Sequence, residues 1–195
     1  MFKKICSFTV LALLLFSLSA CGGNSNNDSQ SSTKYSELVS SLTLQYEGDP
    51  LAMIETSKGT LIIELFQEQV SETVNNFIKL AEADFYSNLK WHIVLPGIKI
   101  QTGDPTGTGT GGSNTTPIKL ETHPDLRHDK VGVVGMARYE NDLNSATSQF
   151  YITLDVEPEW DRKYAIFGQV VGGAELLGAI ERNDTVRKIS IVKAE

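Results

Sequence analysis

From residue 51 onward the chain alternates short apolar runs with turn residues, at a spacing that suits strands. LAMIET at 51–56 and TLIIELF at 60–66 are two such runs, joined by Ser57-Lys58-Gly59. Runs of this kind on either side of a glycine turn predict a hairpin, with Gly59 where positive φ is needed. Between 71 and 81 the period changes. Val74, Phe77, Ile78 and Ala81 fall at i, i+3, i+4 and i+7, the single apolar stripe of a helix packed on a core. Ser71 stands where an N-cap is expected, and Glu72 places an acid in the first turn. Further strand-like runs cover 91–95, 98–102, 131–137, 149–154, 164–170 and 187–193. A second helix fits 173–182, with Leu176, Leu177 and Ile180 as its apolar face. There is no βαβ alternation and no fixed repeat, so the pattern predicts a mainly β domain, open sheet or barrel.

The first fifty residues follow other rules. Lys3 and Lys4 precede an apolar stretch from Phe8 to Leu18 that ends in small residues. This is the pattern of a secretory leader, too short to span a bilayer. Leu18-Ser19-Ala20-Cys21 resembles a bacterial lipobox, in which the cysteine becomes the lipid-modified N-terminus. Residues 22–33, GGNSNNDSQSST, are small and polar without periodicity, as in a flexible tether. Residues 34–45 carry Leu38, Val39 and Leu42, which suits a short helix or a loose arm. The expected organisation is a leader over 1–20, a lipidated Cys21 with its tether over 21–49, and one compact domain over 50–195.

Composition narrows the chemistry. Cys6 leaves with the leader, so Cys21 alone remains, and neither a disulfide nor a thiol nucleophile is available. The net charge of −7 argues against nucleic acid and anionic lipid as direct partners. Membrane attachment would come from acyl chains of the palmitate class, two of which suffice for stable anchoring. The expected location is the extracytoplasmic face of a bacterial membrane, and the expected state is a monomer.

Two segments carry the most information: WHIVLPGIKIQTGDPTGTGTGG at 91–112 and GMARYENDLNSATSQFYI at 135–152. Together they resemble the cyclophilin family of peptidyl-prolyl isomerases, which reads FHR, two apolar residues, then PGFMIQGGDPTGTGTGG. The resemblance covers about residues 51–195. It implies a closed eight-stranded antiparallel β-barrel capped by two helices, with its ligand site outside the side-chain-filled interior. It also implies the reaction, rotation about the bond before proline, whose barrier is about 20 kcal/mol. No cofactor or covalent step is needed, only tighter binding of the twisted peptide than of either planar form.

The site residues follow by resemblance. Ile98 and Lys99 stand where the family has Phe and Met, and make one pocket wall thinner and partly charged. Tyr151 takes the place of a pocket Phe and keeps an aromatic floor. Trp160 matches a Leu at the pocket edge, and Tyr164 takes a position that is His in many eukaryotic members. Gln101 and Gln149 match two glutamines that hold substrate or orient the catalytic arginine. Ala137 and Arg138 match the strand that pairs with an extended peptide. One position departs: Ile93 replaces the catalytic arginine itself. Losing one preorganised donor costs about 3 kcal/mol, a hundredfold or more in rate. The implied function is therefore a weakened isomerase assisting exported proteins through their proline-containing segments. The alternative is a non-catalytic module that holds proline peptides at the cell surface.

Other signals lead nowhere. Gly107 to Gly112 satisfies G-x-G-x-x-G, but no helix pattern follows and no lysine completes a phosphate loop. These glycines are better read as a loop passing close to the pocket. His92, His123 and His128 lack metal-pair spacing, so no metal is expected. His92 reads as a packed histidine, Asp104 as the cap of its own turn. There is no G-x-S-x-G elbow.

Overall fold

The structure is a computed structural model and describes residues 40–46 and 48–193. The leader, Cys21, the tether and residues 34–39 of the candidate arm lie outside the described residues. Eight strands follow in chain order: β1 (Leu51–Thr56), β2 (Gly59–Leu65), β3 (Ile93–Leu95), β4 (Lys99–Thr102), β5 (Val133–Met136), β6 (Phe150–Thr153), β7 (Ile166–Gly172) and β8 (Val186–Val192). Helix α1 (Ser71–Glu82) joins β2 to β3. The strands form one sheet in the order β3-β4-β6-β5-β7-β2-β1-β8, every pair antiparallel. The sheet curls until its two ends meet just before β3 and β8. A single bridge, Lys90 opposite Thr185, joins them, flanked by Trp91 N–H to Asp184 O at 2.9 Å and Val186 N–H to Leu89 O at 2.8 Å. The fold is the mainly β, eight-stranded antiparallel one implied by the resemblance.

Alternation along the strands sorts side chains to two faces. Ala52 and Ile54 on β1, Leu61, Ile63 and Leu65 on β2, and Phe150 and Ile152 on β6 are buried together in the core. The stripe of α1 covers it: Phe77 lies 5.1 Å from Phe167, 5.4 Å from Tyr86 and 5.5 Å from Phe150, ring centre to ring centre. The β1–β2 hairpin has Thr56 opposite Gly59 across a two-residue turn, and Gly59 adopts φ +140°.

One local expectation is corrected and another sharpened. Ser71 is the first helical residue rather than the N-cap, and Val70 at the cap offers no side-chain acceptor. The helix start is capped instead from a distant loop, where the Glu121 carboxylate accepts from Glu72 N–H (3.2 Å), Thr73 N–H (2.6 Å) and Thr73 Oγ1 (2.6 Å). The second helix is a short 3-10 helix, Ala174–Ala179, entered from Gly173 at φ +76° and left at Ile180 in extended backbone. Gly178 inside this turn lowers its α-helix propensity, and the element stays short and tight. Residues 40–46 form no helix. Gln45 N–H donates to the buried Glu64 carboxylate at 2.8 Å, as does Tyr46 N–H, and the Tyr46 ring stands edge-on to Phe66. A buried carboxylate on β2 thus holds the chain entering the domain.

Candidate functional site

Between two rows that face the core, one row of side chains crosses four strands on the outer face. Ile93 on β3 pairs with Gln101 on β4, Gln101 with Tyr151 on β6, and Tyr151 with Gly135 on β5. The rows on either side, Ile100–Ile152–Val134 and Thr102–Phe150–Met136, point inward. The register therefore gathers Ile93, Gln101 and Tyr151 outside the barrel. Gly135 is what leaves room for the tyrosine: a Cβ there would lie 2.3 Å from the Tyr151 hydroxyl oxygen.

Tyr151 is the centre of an aromatic cluster. Trp160, at the end of the 3-10 turn Pro158–Trp160, stands edge-on to it at 5.3 Å, and Tyr164 at 5.8 Å. Trp160 and Tyr164 are themselves 5.9 Å apart. The expected floor is thus assembled, but it is covered, with Tyr151 only 1 % exposed. Part of the cover is Lys99, whose Nζ lies 5.3 Å from the Tyr151 ring centre and 5.5 Å from that of Trp160. Burial pushes the Lys99 ammonium below its ordinary pKa. Ile98, beside it on the β3–β4 turn, is 40 % exposed.

Beneath the tyrosine lies a polar device that sequence reasoning missed. Tyr151 Oη is 2.8 Å from His128 Nε2, and His128 Nδ1 is 3.0 Å from Asp161 Oδ1, which also accepts from His128 N–H at 2.7 Å. Burial lowers the His128 pKa against the opposing pull of Asp161. For Asp161, burial acts upward, but the backbone and ring hydrogen bonds from His128 prevail and hold it low. The arrangement suits a neutral imidazole that donates from Nδ1 and accepts the tyrosine proton at Nε2. The available signal was the hydroxyl itself. A tyrosine where the family keeps phenylalanine needs a buried partner.

On the other side of the row the two glutamines form a chain. Lys99 Nζ donates to Gln101 Oε1 at 2.7 Å, and Gln101 Nε2 donates to Gln149 Oε1 at 2.7 Å. Gln149 Nε2 donates to the carbonyls of Gly109 (3.0 Å) and Gly111 (2.7 Å). The glycine-rich loop is thereby tied to the site, and Asp104 braces it from beneath. Its carboxylate accepts from the N–H groups of Thr106, Thr108, Gly109 and Gly111 at 2.6–3.1 Å. A cavity of about 360 Å³ opens there, lined by Gln101, Gln149, Ala137, Arg138 and residues 109–113 among others. The nine expected contact residues thus divide: Gln101, Gln149, Ala137 and Arg138 line the cavity, whereas Lys99, Tyr151, Trp160 and Tyr164 form the cluster and Ile98 its rim.

Two further details complete the site. Arg138 does not reach toward Ile93; its guanidinium stacks on Tyr164 at 4.7 Å and donates to the carbonyls of Lys163, Tyr139 and Glu140. Three carbonyls and a ring hold it in place. His92 is buried with Nε2 3.2 Å from Gln149 Oε1, but its Nδ1 has no partner, so the ring is only half satisfied.

Comparison with known proteins gives a consistent answer. The family model described as cyclophilin type peptidyl-prolyl cis-trans isomerase/CLD matches residues 51–195. "Peptidyl-prolyl cis-trans isomerase-like 1" of Aspergillus fumigatus is 39% identical over 146 residues, 72% of this chain and 89% of that protein. "Peptidyl-prolyl cis-trans isomerase ppi1" of Schizosaccharomyces pombe is 40% identical over 145 residues, 72% of this chain and 92% of that protein. Among solved structures, a cyclophilin type peptidyl-prolyl cis-trans isomerase of Cryptosporidium parvum, crystallised in the presence of the dipeptide Ala-Pro, superposes with a TM-score of 0.69. It is 32% identical and covers 72% of this chain and 98% of its own. The family match lies over residues 51–195, the span of the compact domain.

Proposed function

Since this chain belongs to the cyclophilin-type peptidyl-prolyl cis-trans isomerases, we propose that the outer face of β3, β4, β6 and β5 binds extended proline-containing segments and rotates the bond before the proline. The observation that carries this is the cross-strand row Ile93–Gln101–Tyr151, beside a cavity bounded by Gln149, Ala137 and Arg138. The crystallisation of a similar protein with Ala-Pro supports a proline ligand. The peptide lies along Ala137 and Arg138 in strand-like form. Its proline ring packs on the aromatic cluster, where removal from water favours the less polar twisted amide. Gln101 and Gln149, already locked to each other and to the loop carbonyls, present fixed polar edges and need little reorganisation. Ile93 contributes surface but no hydrogen-bond donor, so turnover is slower than with arginine in its place.

The clients are exported proteins, and the chain is anchored outside the cytoplasm through a lipidated Cys21. The leader-like residues 1–20 and the lipobox-like Leu18-Ser19-Ala20-Cys21 support this part. Cys21→Ala should move the protein from the membrane fraction to the soluble one. Retention in the membrane fraction would refute the anchor and leave the isomerase reading intact.

A second reading, a holder of proline segments without turnover, is favoured by one observation: Lys99 lies across the floor that the ring would occupy. Ile93→Arg separates the two. In an isomerisation assay on a proline peptide, the variant should raise kcat/KM by about tenfold or more. An unchanged value would favour the holder.

A further inference from the structure

Lys99 is an unusual cation. Among the described residues it makes no ion pair, yet its Nζ sits half-buried against two aromatic faces. An ammonium carries three donors, and here one goes to Gln101 Oε1 at 2.7 Å. The remaining two are directed by a flexible four-carbon stem, over the ring on which the proline would pack. Sequence position explains the placement. Lys99 and Gln101 are two residues apart on β4, hence on the same face, and Gln101 is the residue in register with Ile93. The strand that lost its donor at 93 therefore lies beside a strand that presents one at 99. The same glutamine is in register with Ile93 and accepts from Lys99.

Resting on the isomerase reading, we propose that Lys99 is the hydrogen-bond donor of this site: its ammonium swings from the aromatic faces, stays on Gln101, and donates to the prolyl nitrogen as the amide twists. The physics favours that moment. In the planar amide the nitrogen lone pair is delocalised and accepts poorly. Once conjugation is broken it becomes a localised acceptor, so a donor there binds the twisted state better than the ground state. The chain Lys99–Gln101–Gln149 ends on the carbonyls of Gly109 and Gly111, and so pins the amide that steers the ammonium. A lysine lacks the planar fork of arginine and is a weaker director of two acceptors at once. A gain from Ile93→Arg is therefore still expected.

The alternative role, a plug that must be expelled before peptide enters, makes the opposite prediction for the same substitution. Lys99→Met removes the charge and keeps the stem. Exchange between cis and trans signals of an Ala-Pro-containing peptide, followed by NMR with the full chain in detergent micelles, reads kcat/KM directly. Peptide-induced shifts in the same samples read binding. If Lys99 donates, Lys99→Met loses at least tenfold in kcat/KM while peptide affinity holds or improves, and Lys99→Arg keeps most of the rate. The pH profile adds a readout that packing alone would not move. Neighbouring titratable groups are Tyr151, with His128 and Asp161 behind it, and Tyr164 under Arg138. Burial lowers the Lys99 pKa, so the charged donor is present at low pH and its rate contribution is lost as pH rises through that value. Lys99→Arg, charged throughout, should flatten that limb. Turnover in Lys99→Met equal to or above wild type overturns the role of Lys99 alone. A wild-type chain that binds peptide without any exchange overturns the isomerase reading and this role with it.

Discussion

Tyr151 shows how one hydroxyl reorganises its surroundings. The ring packs against Trp160 and Tyr164 as a phenylalanine would, but the oxygen needs a buried acceptor and finds it in His128 at 2.8 Å. Asp161 then fixes the imidazole from the other side. Tyr151→Phe should cost about 1–2 kcal/mol in a denaturant titration, because His128 Nε2 is left buried without its donor. Gly135 belongs to the same arrangement. In Gly135→Ala the new methyl collides with the hydroxyl, so the ring must tilt, with an expected loss of about 1–3 kcal/mol and weaker peptide binding. A double variant, Gly135→Ala with Tyr151→Phe, should lose less than the sum of the two, since the clash with the hydroxyl is gone and only that with the ring carbon Cζ remains. Strict additivity in the double-mutant cycle would refute this account of the pair.

At the scale of elements, apolar runs bounded by turn residues were sufficient to place β1 to β8, and a stripe repeating every 3.6 residues to place α1. What it did not show was how ends are closed. The cap of α1 comes from Glu121, some fifty residues away along the chain, and local sequence holds no trace of that meeting. Glu121→Ala should lower stability by about 1 kcal/mol, read by chemical denaturation, since two N–H groups and the positive helix end lose their carboxylate. The second helix is present, but tighter and shorter than its apolar spacing suggests. Leu176, Leu177 and Ile180 are spaced for an α-helix, but Gly178 lowers that propensity and the backbone turns extended at Ile180, leaving a 3-10 helix. The glycine loop was legible as a close approach to the pocket, and Asp104 as the cap of its own turn. That reading needed only neighbours in sequence.

For the whole molecule, two buried aspartates give opposite pH dependences. Burial acts upward on Asp104, but hydrogen bonds from the Thr106 hydroxyl and N–H and from Gly111 and Gly109 N–H hold its pKa at about 2. Its contribution, on the order of 2 kcal/mol, is present above pH 4 and lost as pH falls toward 2. Asp49 is raised to about 6, chiefly by burial against the opposing Gln67 N–H. Its contribution is present below pH 4 and lost as pH rises through 6. Thermal midpoints should therefore rise modestly from pH 7 to 5 and fall below pH 4. Asp49→Asn should flatten the first change, and Asp104→Asn the second while lowering the midpoint at pH 7. The site as a whole was only half legible. Motif positions located Gln101, Gln149, Tyr151 and their neighbours, but they are matched one at a time. That Lys99 lies across Tyr151, that Arg138 is tied to three carbonyls, and that His128 and Asp161 sit beneath the floor are consequences of register and packing.

The central claim is that the outer-face groove turns a prolyl bond over, and solution NMR on isotopically labelled protein tests it most directly. Adding an Ala-Pro-containing peptide should perturb the amides of 109–113, Ala137 and Arg138, and should produce cis–trans exchange peaks in the peptide that vanish without protein. Perturbations confined to other surfaces, or a peptide whose two isomers stay unexchanged while the groove is occupied, would contradict it.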